Sequence, residues 1–187
     1  MRIGPYSFEE FKERAAAFHG YPAPGLVLGG YMVAMAQRSL PSGVLFEAVV
    51  ETTKCLPDAV QLLTPCSTGN NRMTVLQLGR YAVALFDKHS GEGFRVHLDV
   101  QKVRTYPAIA DWFLKRAAKA QQNTEQLFSE IRTAGDTVCT VAPVRVRRPF
   151  PGHARMGAID VCPRCGEAYP KEDGEMCRGC RGEAPYS

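Results

Sequence analysis

Four cysteines near the C-terminus carry the strongest chemical signal in the chain. They stand as two close pairs, Cys162-Pro163-Arg164-Cys165-Gly166 and Cys177-Arg178-Gly179-Cys180-Arg181-Gly182, with eleven residues between Cys165 and Cys177. Two intervening residues let a tight turn aim both sulfurs of a pair at one point, and a glycine close behind each pair relieves backbone crowding there. Two such turns present four thiolates in the tetrahedron that Zn²⁺ prefers, with metal–sulfur distances of about 2.3 Å. All four positions are then filled by protein, so the ion is structural rather than catalytic. A segment under about 30 residues cannot fold on an apolar core alone, and metal binding would supply its folding energy. Iron on the same thiolates remains a chemical alternative.

Three further residues of ligand type lie in the first third of the chain or just past it: His19, Cys55 and Cys66. Cys55, in Lys54-Cys55-Leu56-Pro57-Asp58-Ala59, directly precedes a short helix signalled by Pro57. The helix dipole and Lys54 should lower its thiol pKa. Cys66 follows that helix, whose eight or so residues separate its ends by about 12 Å. The two sulfurs meet only if the chain folds back at Thr64-Pro65. His19 falls at the C-terminal end of an earlier helix. The bland alternatives are a helix-capping histidine and small buried cysteines.

The elements that would position these groups follow from periodicity and punctuation. Ser7-Phe8-Glu9-Glu10 is a capping box, and Phe8, Phe11, Ala15 and Phe18 form an apolar stripe running to a stop at Gly20. Tyr21-Pro22-Ala23-Pro24-Gly25 is a stiff turn. A Gly-, Ala- and Met-rich helix is expected over 26–39, a strand over 44–52, the short helix over 56–63, and a polar loop at 66–71. Strands are expected at 75–78, 81–87 and 94–98, with a hairpin turn at 89–93. A long helix should start near Ala108 and continue past Ala117, and Asn123 should cap another to Ile131. A final strand spans 138–146, and Pro149, Pro151 and Gly152 mark a linker. Helices first and mostly antiparallel strands after make an α+β fold, with N-terminal helices packed on the sheet and a small C-terminal zinc-ribbon or treble-clef-like module. The expected division is a domain over 1–148, a linker over 149–159 and a four-cysteine zinc module over 160–187.

Composition narrows the functional classes. The chain has 187 residues, 45% hydrophobic and 22% charged, an ordinary globular balance. No apolar run approaches the ~20 residues that cross a bilayer, and the polar opening lacks a signal-peptide pattern, so a cytoplasmic location is expected. In a reducing compartment, clustered cysteines read as metal ligands rather than disulfides. A net charge of +4 does not by itself imply nucleic acid. Residues 137–159 do carry Arg145, Arg147, Arg148 and Arg155 with no acid, which is either a phosphate-binding stretch or a basic linker. No Gly-rich phosphate loop follows a strand.

Several ordered motifs together resemble the FmdE family, which takes its name from the operon of a formylmethanofuran dehydrogenase. They are Phe18-His19-Gly20-Tyr21-Pro22-Ala23-Pro24-Gly25, then Cys55-Leu56-Pro57-Asp58-Ala59, then Thr64-Pro65-Cys66-Ser67-Thr68-Gly69, then Phe86-Asp87-Lys88-His89-Ser90-Gly91, and finally Cys162 to Glu167. Two positions depart from the family pattern: Tyr21 stands for a histidine, and Ala23 for a cysteine before Pro-Gly. Neither can be carried over as a ligand. The resemblance implies an α+β domain with an antiparallel sheet, a homodimer, and a second site for zinc or another transition metal at His19, Cys55 and Cys66, with Asp58 orienting a ligand. It also implies a molybdenum or tungsten oxidoreductase as partner. Three functions follow: a metal-binding accessory protein or small subunit of such an enzyme; a zinc-ribbon nucleic-acid regulator using Arg145–Arg155; and a stand-alone enzyme with Cys55 as nucleophile or a metal as Lewis acid. The last lacks a visible nucleophile–base–orienter set.

Overall fold

The computed structural model describes residues 1–147 and 157–186. The chain divides into two compact units, Met1–Arg148 and Pro149–Ser187. The basic stretch is only partly described: Arg145 and Arg147 are exposed, while Arg148, Arg155 and most of the expected linker lie outside the described residues.

The first unit begins with α1 (Phe8–His19). The capping box forms as the sequence requires, Ser7 Oγ accepting from the Glu10 N–H and the Glu10 carboxylate from the Ser7 N–H. Gly20, at φ 90°, closes the helix in the left-handed conformation that glycine adopts freely. After the stiff turn, α2 (Pro24–Ser39) opens on Pro24, two residues earlier than the apolar pattern implies, because proline fits a first helical position that needs no N–H. Eleven of its sixteen residues, from Gly25 to Ala36, are buried. It is therefore the central helix of the unit, not an amphipathic surface one.

The sheet has five strands, β1 (Phe46–Val50), β2 (Met73–Val75), β3 (Ala82–Asp87), β4 (Glu92–Leu98) and β5 (Cys139–Arg145), in the order β2-β1-β3-β4-β5. Every pairing is antiparallel except β1–β2, which is parallel because α3 (Leu56–Leu63) makes the crossover between them. β2 forms earlier than the apolar run 75–78 implies. Asp87 organises the β3–β4 turn, its Oδ1 accepting from the His89 and Ser90 N–H groups at 2.7 Å each. One sheet face supplies Ala48, Val50, Val83, Leu85, Val96 and Leu98 to the core, packed on α2.

The long helix expected from Ala108 does not form. A short α4 (Val100–Val103) and α5 (Pro107–Phe113) stand there instead. Lys115 adopts φ 57°, and the Arg116 N–H bonds back to the Asp111 carbonyl, the closing turn that caps a helix end. α6 (Thr124–Ala134) starts on the Asn123 cap as expected.

α2 can be central only because its small residues admit neighbours on several sides. A Cβ at Gly30 would lie 2.5 Å from Phe11 Cε1 and 2.7 Å from Ile3 Cγ2. Gly30→Ala should therefore lower stability by about 1–3 kcal/mol, the usual cost of overpacking. Thermal unfolding of the variant checks this; an unchanged Tm would show that α1 and the N-terminus yield freely.

Candidate metal centres

The second unit is a hairpin, β6 (Ile159–Val161) with β7 (Ala168–Pro170), followed by short turns and Gly179–Glu183. Among its described residues only Cys162 and Tyr169 are buried apolar side chains. Two side chains make no core, so something else must hold the unit together. The sulfurs of Cys162, Cys165, Cys177 and Cys180 all lie within 4.8 Å of one another. Cys165 and Cys177 are 3.7 Å apart, close to the ~3.8 Å edge of a tetrahedron with ~2.3 Å metal–sulfur bonds. The first knuckle closes with the Gly166 N–H on the Cys162 carbonyl; in the second, the Cys180 N–H points at Cys177 Sγ. Arg164 donates to the Cys180 carbonyl at 2.9 Å and ties the two together. Tyr169 Oη donates to the Gly174 carbonyl at 2.8 Å.

The protonation energetics point the same way. Backbone N–H groups of Cys177 and Cys165 draw the Cys162 thiol down to about 6. Cys180 is pushed up to about 12, first by its thiol hydrogen bond with Cys177. Four thiolates do not coexist without a cation between them. A dication removes the conflict, and its binding releases protons.

In the first unit the ligand-type residues separate. His19, the last residue of α1, places Nδ1 2.6 Å from Asp58 Oδ2 in the first turn of α3. This is the expected orienting contact, and a carboxylate on Nδ1 leaves Nε2 as the nitrogen for a metal or substrate. The Tyr21 ring sits 4.9 Å from the His19 ring, centre to centre.

Cys55 is half-buried at the N-cap of α3, at the centre of a γ-turn of the rarer, strained hand. Its φ is 53°, and the Leu56 N–H bonds back to the Lys54 carbonyl. Burial raises its thiol pKa, with Asp58 adding to the rise, against the opposing pull of the Leu26 N–H, Lys54 and Lys115. The lowered pKa expected from the helix end is thus corrected: loss of water outweighs the dipole of an eight-residue helix. Gly25 lets α2 approach this point. A Cβ there would be 3.3 Å from Cys55 Sγ and 3.0 Å from Tyr81 Oη. Tyr81 donates to the Gly25 carbonyl at 2.5 Å, and loss of surrounding water keeps its phenol protonated. Neither Gly25 nor Tyr81 carries a sequence signal for this role beyond the turn residues that precede Gly25.

Cys66 does not join His19 and Cys55. It lies beyond the other end of α3, fully buried, its thiol facing the Phe46 carbonyl at 3.6 Å. Thr64 Oγ1 donates to the Val60 carbonyl and accepts from the Cys66 N–H, which sends the chain on toward β2 instead of back over the helix. Among the described residues the C-terminal four cysteines are the single group of three or more such donors within reach of one ion. The expected three-ligand set is therefore replaced by a tighter pair, His19 with Asp58, and by Cys55 on the same turn of α3. Cys66 and Cys139 are core thiols, Cys139 pushed up to about 12 by burial.

Comparison with known proteins agrees with this geometry. Residues 18–146 match the family described as FmdE, Molybdenum formylmethanofuran dehydrogenase operon, and residues 153–187 match the FmdE treble clef zinc finger. The crystal structure of an FmdE-like protein of tungsten formylmethanofuran dehydrogenase, from Syntrophus aciditrophicus, is 49% identical, with a TM-score of 0.89 over 97% of this chain and 96% of that one. A probable S-adenosyl-L-methionine-binding protein of Archaeoglobus fulgidus is 35% identical over 101 residues, half of this chain and 28% of that protein. The chain thus spans little more than a quarter of that curated relative's length. The four-cysteine cluster is the structural zinc site of a treble-clef module.

Cys177→Ser should abolish that zinc and leave the second unit without a core, while the first unit, with its own core, stays folded. Zinc content and limited proteolysis check this. Full zinc retention with intact protease resistance over 157–186 would refute the assignment.

Proposed function

This chain belongs to the FmdE family, and from that premise we propose a zinc-binding accessory protein or small subunit of a molybdenum or tungsten oxidoreductase of formylmethanofuran dehydrogenase type. It works in the cytoplasm as a homodimer, and its first unit holds a second, exchangeable transition metal. The observation that carries the metal reading is the His19–Asp58 contact, the carboxylate–histidine pairing of metal-binding imidazoles, one helical turn from a half-buried thiol. Imidazole and thiolate suit borderline metals such as zinc. Two protein donors leave a metal under-coordinated, which favours exchange and transfer over permanent storage. Among the described residues no helix is long and apolar enough to cross a membrane.

The nucleic-acid alternative loses ground in the zinc module. Residues 149–187 hold five Lys and Arg against six Asp and Glu. Arg178 and Arg181 both pair with Glu183, at 2.5 and 3.3 Å, and Arg164 is spent on the Cys180 carbonyl. Few cations are left to track phosphates. S-adenosylmethionine binding by the archaeal relative finds no counterpart beyond the shared segment.

Protein purified without chelator should contain one tightly held zinc per chain and a second metal that dialysis against a weak chelator removes. His19→Ala and Cys55→Ser should each lose the second metal and keep the first, whereas Cys66→Ser should keep both. Co-expression with the catalytic subunit of a formylmethanofuran dehydrogenase tests the partner, with stoichiometric co-purification expected. A single metal per chain in all four proteins, and no complex, would reject the reading.

A further inference from the structure

Phe18 and Tyr21 are 53% and 55% exposed on either side of His19 in sequence. Gly20, between them, has open space above it. Exposed aromatics are costly to leave in water and are the side chains most enriched where protein partners dock. Tyr21 is also in ring contact with His19, so anything that covers it also covers the candidate metal.

The charges around Cys55 add a second constraint. Lys54 and Lys115 are both exposed and both act on the Cys55 thiol. Lys115 lies over the Trp112 ring, 5.6 Å from its centre, and neither ammonium has a carboxylate partner among the described residues. Asp58, the acid close to Cys55, is engaged with His19. The rim of the site is therefore aromatic and cationic, and no third metal donor of this chain reaches it among the described residues.

Resting on the second-metal reading above, we propose that the site is completed by a partner polypeptide that docks an acidic, apolar-flanked segment on Phe18 and Tyr21. A carboxylate of that segment becomes the missing metal ligand, and Lys54 and Lys115 meet its remaining negative charge. The under-coordinated metal then serves as the specific contact of the complex. A partner presenting amides or lysines is rejected, because an amide is a weaker ligand and a lysine faces like charge.

The test titrates Co²⁺ into the zinc-replete full chain and follows thiolate-to-cobalt absorption. The probe is a blocked heptapeptide with three Glu spaced by Leu, run beside its Gln counterpart. The Glu peptide should tighten Co²⁺ by about tenfold, the Gln peptide by less than about twofold. In Lys54→Gln/Lys115→Gln protein, and in Phe18→Ala protein, the Glu-peptide gain should fall to that lower level. Equal gains from the two peptides, or a gain untouched by these substitutions, overturns the docking proposal and leaves the metal site standing. A Co²⁺-dependent dimer with no response to peptide makes a second copy the occupant and also overturns it. Absence of cobalt absorption with and without peptide removes the metal site and the proposal together.

Discussion

The first unit depends on one helix being able to touch everything around it. α2 is buried nearly end to end, and its glycines set how closely its neighbours approach. At Gly30 the neighbours are Phe11 and Ile3; at Gly29 they are Leu56 and Ala59 of α3; at Gly25 they are Cys55 and Tyr81. The same close approach therefore sets the core and the candidate site. α3 is pressed against α2 so that its first turn, with Cys55 and Asp58, stands where α1 ends in His19. The strained γ-turn at Cys55 is a cost that this packing holds in place, as strained backbone at functional positions commonly is.

The second unit rests on a different constraint. It lacks an apolar core and substitutes four thiolates around one ion. Its hydrogen bonds from Arg164 and Tyr169 join the turns that present the ligands, but they cannot replace the ion, because neither removes the repulsion among the sulfurs. The two units thus obtain order from unrelated sources, apolar burial in one and metal coordination in the other.

Much of this was legible before any coordinates. The zinc module was legible because its ligands lie close in sequence and their spacing is set by local turn geometry. The capping box at Ser7, the stop at Gly20, α3 and the Asn123 cap are equally local. What was not legible depends on contacts distant in sequence. The helix expected from Ala108 ends at Phe113 because Lys115 takes a left-handed conformation that no glycine announces. The parallel β1–β2 pairing is hidden in a short strand next to a polar loop. Cys55 and Cys66 bracket α3, and only the hydrogen bonds of Thr64 show that the chain does not fold back to unite them. The sign of the Cys55 shift was misread because burial by Gly25 and Tyr81 comes from α2 and the start of β3, elements that do not adjoin it in the chain.

The account's central claim is that His19 and Cys55 hold one metal between them outside the zinc module. X-ray absorption at the cobalt edge tests it most directly, on zinc-replete protein loaded with one equivalent of Co²⁺. The account predicts a mixed shell with one sulfur near ~2.3 Å and the remaining ligands nitrogen or oxygen at ~2.0–2.2 Å, including imidazole. A shell of oxygen and nitrogen alone, or one of four sulfurs taken from the zinc module, would contradict it.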